Sequence, residues 1–151
     1  MAIDPAPSMD PTLLPTTRFA FPGPLRDRLV AAVLDGSKTA TTALLAEYEQ
    51  EGEPLPSIGR HSVVVDSEDR PVAIIEVTEV RVVPLGEVDV AHAVAEGEGS
   101  ATVAEWRADH EEFWHGEEVR RALGDPGFTV HDATPVVLEH FRVAARLPAP
   151  A

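Results

Sequence analysis

The stretch Gly36-Ser37-Lys38-Thr39-Ala40-Thr41-Thr42 brings one ammonium and several hydroxyls into a single short segment. Lys38 is the only lysine of the chain, beside 11 arginines. Arginine does not release its proton at ordinary pH, whereas a buried lysine can. A lysine beside a hydroxyl can serve as base for an oxygen nucleophile, as in Ser–Lys hydrolases. The spacing is not that of a phosphate-binding P-loop, which needs G-x-x-x-x-G-K-[ST]. The same residues also fit a helix cap followed by a threonine-rich edge strand, with Thr39 and Thr41 facing one side and Thr42 the other. A second segment, Ala95-Glu96-Gly97-Glu98-Gly99, sets two carboxylates among glycines. Permissive backbone there can hold a carboxylate close to a ligand, or form an acidic surface loop.

Trp106, His110 and Phe113 recur at i, i+4 and i+7, on one helical face, with Arg107 and Trp114 on a neighbouring one. Such a face packs on a sheet, or offers an aromatic rim on which a base stacks. His110-Glu111-Glu112-Phe113-Trp114-His115 spaces its histidines five apart, not the four that puts both on one face of a zincin helix, so no metal site is expected. No G-x-S-x-G elbow and no G-x-G-x-x-G loop is present, and no cofactor is expected. The absence of cysteine excludes thiol catalysis, disulfides and cysteine–zinc sites.

Positioning these groups falls to elements that the patterning outlines. Pro24 suits a first helical position, Leu25, Leu29, Ala32 and Val33 follow at helical spacing, and Gly36 caps the end. Thr39–Thr42 reads as a strand or extended turn, Ala43–Glu51 as a second helix and Gly52–Gly59 as a loop. His61–Asp66 and Val72–Val83 form a hairpin around a polar turn. Val88–Ala95 is a short helix. Thr102 to about Leu123 is the longest helical stretch, with Gly116 placed to interrupt it. Pro135–Arg146 is a closing strand. Mixed strands with peripheral helices and no βαβ repetition predict an α+β fold, a small mixed or antiparallel β-barrel.

The chain's 151 residues, 44% hydrophobic, suffice for one domain with its own core. Residues 1–17, rich in proline, read as a disordered arm, residues 18–147 as the domain and residues 148–151 as a flexible tail. There is no signal-like segment and no apolar run of the ~18 residues a membrane span needs, so a soluble cytoplasmic protein is expected. A net charge of -14 opposes binding to duplex DNA or anionic membranes, without excluding a small basic pocket.

Three runs, in order, carry a family resemblance. The first is Asp35-Gly36-Ser37-Lys38-Thr39-Ala40-Thr41. The second is Glu47-Tyr48-Glu49 through Gly52-Glu53-Pro54-Leu55-Pro56, with Gly59 opening the hairpin. The third is Glu96-Gly97-Glu98-Gly99 with Trp106, His110 and Phe113. From about Phe19 to Arg146 the chain resembles the ASCH (activating signal cointegrator homology) domain proteins in their longer bacterial form. The resemblance implies a PUA-like β-barrel with helices around a cleft, and a role near RNA or nucleotides. It implies one of two activities: hydrolysis of the amide of N4-acylated cytidine by a lysine, a threonine and a glutamate, or ribonuclease activity. Carried over, the first set gives Lys38, Thr41 and Glu96 as catalytic residues, with Glu98 competing for the carboxylate role. Thr39, Tyr48, Glu98, Arg107 and Trp114 are the expected substrate-binding residues. The short amidohydrolases have an arginine two residues after that threonine, where this chain has Ala43, and the long helix is an addition.

The chemistry fits the residues independently. Thr41 Oγ1 could attack the acyl carbonyl, Lys38 could accept the hydroxyl proton and return it to the leaving amine, and Glu96 could orient the exocyclic N–H or shuttle a proton. The expected partner is a nucleoside or short RNA. A ribonuclease on the same cleft and a non-catalytic RNA- or nucleotide-binding module are the alternatives, and the oligomeric state is open.

Overall fold

A computed structural model describes residues 10–148. Its centre is a five-stranded mixed sheet in the order β1-β3-β4-β5-β2. The strands are β1 (Thr16–Thr17), β2 (Ala40–Leu44), β3 (His61–Val65), β4 (Pro71–Pro84) and β5 (Pro135–Arg146). All pairings are antiparallel except β1 with β3. The helices are α1 (Pro24–Asp35), α2 (Leu45–Glu51), α3 (Val90–Ala95), α4 (Val103–Trp114) and α5 (Glu117–Leu123). This is the expected α+β architecture with peripheral helices.

β4 and β5 run side by side from Ala73↔Arg146 to Pro84↔Pro135. The register shifts between Val77 and Glu79, leaving Thr78 as the extra residue of a bulge, a place where a strand bends and twists more strongly. β3 pairs with the first half of β4, and β2 with the first half of β5, so the long pair carries a short strand at each end. One apolar cluster joins Leu44, Val136 and Leu138 of the sheet to Trp106, Trp114 and Val119 of α4 and α5. A second joins Val30 and Val33 of α1 to Ile75, Phe141 and Phe19. Arg26 is buried against this second cluster and donates to the carbonyls of Phe19 and Ala20.

Several boundaries differ from the sequence reading. The long helix is two: Gly116 adopts an extended backbone (φ -69°, ψ 158°) between α4 and α5, and a Cβ there would lie 3.1 Å from the Phe113 carbonyl. β2 runs through Ala43 and Leu44, residues read as helix, because the ladder to Val137 and Val136 overrides their helical propensity. The expected disordered arm, residues 1–17, is ordered at its end. Thr16 and Thr17 pair with Val63 and Val64, the Pro15 carbonyl accepts from the Val63 N–H, and Leu14 packs against the Val63, Val65 and Ile74 cluster. Residues 1–9, and 149–151 of the expected tail, lie outside the described residues. No described helix is long and apolar enough to cross a membrane.

Candidate active site

The site forms where the turn after α1 meets the end of α3. Gly36 ends α1 in the left-handed region, and the Lys38 N–H returns to the Ala32 carbonyl. The Thr39 N–H then donates to the Ala95 carbonyl at 2.8 Å, fastening this turn to α3. Two residues on, Gly97 has φ +69°, and a Cβ there would stand 2.4 Å from the Ser37 carbonyl oxygen. Only glycine permits this approach, which holds Glu96 and Glu98 beside Lys38. At the other end of α3 the Asp89 carboxylate caps the His92 N–H.

Glu96 is the hub, although only 1% of it is exposed. Its Oε2 accepts from Thr42 Oγ1 at 2.5 Å and from Trp106 Nε1 at 2.7 Å, and lies 3.1 Å from His92 Nε2. Its Oε1 is 3.1 Å from His110 Nε2 and 3.7 Å from Lys38 Nζ. Lys38, itself 2% exposed, donates to the Ala40 carbonyl at 2.8 Å and to the Glu96 carbonyl at 3.3 Å. Its Nζ is 3.8 Å from Glu98 Oε2. His110 Nδ1 is 2.8 Å from the Trp106 carbonyl, and its ring stacks on the Trp106 indole at 4.2 Å between centroids. His92 Nε2 is also 2.8 Å from Thr42 Oγ1, while its buried Nδ1 has no partner among the described residues.

The charges follow from these contacts. Burial alone would raise Glu96, but hydrogen bonds from His110 and His92, then the charges of His110 and Lys38, hold it well below the usual carboxylate range. For Glu98, burial is the largest influence and raises it, Lys38 opposes this, and Glu96 adds to it. Burial would lower His110, yet its bond to Glu96 and the Glu96 charge leave it raised above 6.5. Burial, with the Glu139 and Glu47 charges, pushes the Tyr48 phenol up to about 12, so it stays a hydrogen-bond donor.

Lys38, Thr42, Glu96, Glu98 and His110 line an open cleft of about 1370 Å³, together with Thr41 and Tyr48. Thr41 and Thr42 take opposite faces of β2, and Thr42 is the one bonded to Glu96. Trp114 is 2% exposed and meets the Trp106 ring edge-on in the core, so it offers no open face for stacking a base. Arg107 is held by Glu111 and Asp132 and does not line the cleft. Thr39 is exposed and also lies off the lining. Sequence reasoning missed Thr42 and His92. The i, i+4 spacing of His92 and Glu96 on a short helix was the available signal for one, and the strand alternation for the other. Glu96, Glu98 and His110 each present one ligand atom within 4.8 Å of the others, a grouping from separate elements that histidine spacing alone does not reveal. The Lys38 ammonium lies against both carboxylates of this trio and supplies the positive charge there.

The ASCH domain family model matches residues 17–145. The structure is similar to that of an ASCH domain from Lactobacillus crispatus JV V101, with a TM-score of 0.75 and 29% identity over 87% of this chain and 80% of that one. It is also similar to a protein from Enterococcus faecalis V583, with a TM-score of 0.68 and 30% identity over 79% of this chain and 68% of that one. No curated protein matches the chain.

Proposed function

The chain belongs to the ASCH domain family and has its PUA-like fold, and on that premise we propose that it is a hydrolase of an N-acyl amide of the N4-acylcytidine type, with Lys38, Thr41 and Glu96 as its chemical constellation. The observation that supports this most is the buried group of Lys38 and Glu96, with Glu98 beside it, in the wall of an open cleft. A stability role alone is a poor account of it, because buried ion pairs return little net stability after desolvation. In this reading Thr41 Oγ1 attacks the acyl carbon, its proton passes to the lysine–carboxylate cluster, and the cluster returns a proton to the exocyclic nitrogen as the C–N bond breaks. Tyr48, retained as a phenol, donates a hydrogen bond to the ligand or packs against the base. Incubation with a panel of N4-acylcytidines and a short RNA, followed by mass spectrometry, tests it. Release of free cytidine is expected. Cleaved RNA with intact acylcytidines would establish the ribonuclease alternative, and no product from either would leave a binding module.

A further inference from the structure

The second half of β4 is a free sheet edge. β3 and the turn before it cover β4 only as far as Val77, which bonds to Arg60 and Gly59. From Thr78 to Pro84 the strand bonds to β5 and to no other described backbone. None of these residues is buried, and Val82 is 45% exposed. The ladder sets which backbone groups face outward. The Phe141 N–H turns toward β2, where it meets the Thr39 carbonyl, so Glu139 and Val137 turn that way too. Their register partners on β4, Val80 and Val82, therefore point their N–H and carbonyl groups away from β5, to the open side. Between and beside them, Glu79 and Arg81 share one face, 3.3 Å apart and each about half exposed. Such an edge is a template for another strand. The Thr78 bulge and Pro84 bound the free stretch without interrupting it.

We propose that this edge pairs antiparallel with the same edge of a second copy of the chain, about a twofold axis at Val80. Each Val80 N–H then donates to the Val80 carbonyl of the other copy. Glu79 lies opposite Arg81 of the second copy, and Arg81 opposite its Glu79. These are the more closely spaced pairs of an antiparallel ladder, and the charges alternate in sign around the axis. The register is specified by the same residues. A slip of two positions one way sets Glu79 against Glu79, and the other way Arg81 against Arg81, both repulsive. The axis stands perpendicular to the sheet, so Glu139, which lines the cleft, lies on the same side in both copies. The paired stretch is short and buries less than the ~1,200 Å² of a standard interface, so the dimer is a weak one.

Sedimentation equilibrium at about 0.15 M salt, which screens the repulsion between two acidic copies, tests this. The wild-type mass is expected to rise from one chain toward two between ~10 µM and ~1 mM protein. Glu79→Arg and Arg81→Glu should each stay at one chain, because each sets like charges against each other. An equimolar mixture of those two variants should regain the wild-type rise, since every pair across the axis is then opposite in sign. Val80→Pro removes the outward N–H at the axis, is tolerated on an edge strand, and should also stay at one chain. Thermal melts identify any variant that fails to fold, and the mixture of reversed chains then reads the pairing without it. A wild-type mass of one chain throughout would overturn the proposal. So would a rise that survives in either single reversal or in Val80→Pro, or a mixture that stays at one chain.

Discussion

Replacing Glu96 by glutamine keeps the shape of the side chain and removes the charge around which Thr42, Trp106, His92, His110 and Lys38 are arranged. One half of the amide would be a donor facing donors, and Lys38 would lose a buried counter-charge. Glu96→Gln is expected to cost ~3 kcal/mol in denaturant unfolding, the scale of breaking a buried charged network from one side. His110 gives a pH-dependent counterpart. Its folded-state pKa is raised, so its contribution is complete below the unfolded value of 6.5 and is lost as pH rises through the higher folded value. Glu96, shifted downward, stays ionised across that range. The destabilisation caused by His110→Gln, read from melting temperatures, should therefore be larger at about pH 5.5 than at about pH 8.5. At this scale the sequence was informative where chemistry is unusual, as with a lone lysine and a carboxylate between glycines. It was uninformative where a partner is distant. Arg107 points to Asp132 across 25 positions, and nothing near either residue announces that pair. Trp114 sits one helical position from the Phe113 face, too little to show that it goes into the core.

Gly97 joins the two segments of the site, and its replacement is the sharpest test at the level of elements. Alanine there would meet the Ser37 carbonyl and would have to hold φ +69°. Gly97→Ala is expected to destabilise by ~2 kcal/mol or more, and to separate Glu96 from Lys38. A crystal structure or a urea titration would show it. Removal of everything through Thr17 should lower the melting temperature by several degrees, about 1 kcal/mol or more, because β1 and Leu14 cover β3. Elements with local signals were legible: Pro24 and Gly36 bracket α1, and β5 spans Pro135–Arg146 as its β-branched run indicates. Elements decided by their neighbours were not. Ala43 and Leu44 favour helix alone and become strand against β5, while Thr16 and Thr17 become strand only because β3 offers an edge.

Across the whole molecule the net charge of -14 reaches into the cleft, where Lys38, Arg18, Arg28 and Arg60, joined by His110 when it is protonated, stand among more numerous carboxylates. Each phosphate bound must find one of few cations, so binding of a short single-stranded RNA should be weak. Its log affinity should fall with log salt at a slope shallower than about -2, the mark of fewer than about three phosphate contacts. Fluorescence anisotropy across a salt series measures this, and turnover of N4-acetylcytidine should change little over the same series. The order of the strands has a consequence for how the protein is made. β2, which carries the hydroxyls of the site, has β5 as its sheet neighbour, with Ala40 opposite His140. A ribosome delivers that neighbour about 100 residues after β2 itself, so β2 emerges without the edge it will bond to. Loop closure over that span comes late, and the cleft is assembled only after α3, α4 and α5 have been synthesised. A nascent chain stopped before β5 would carry every residue of the constellation and have no site.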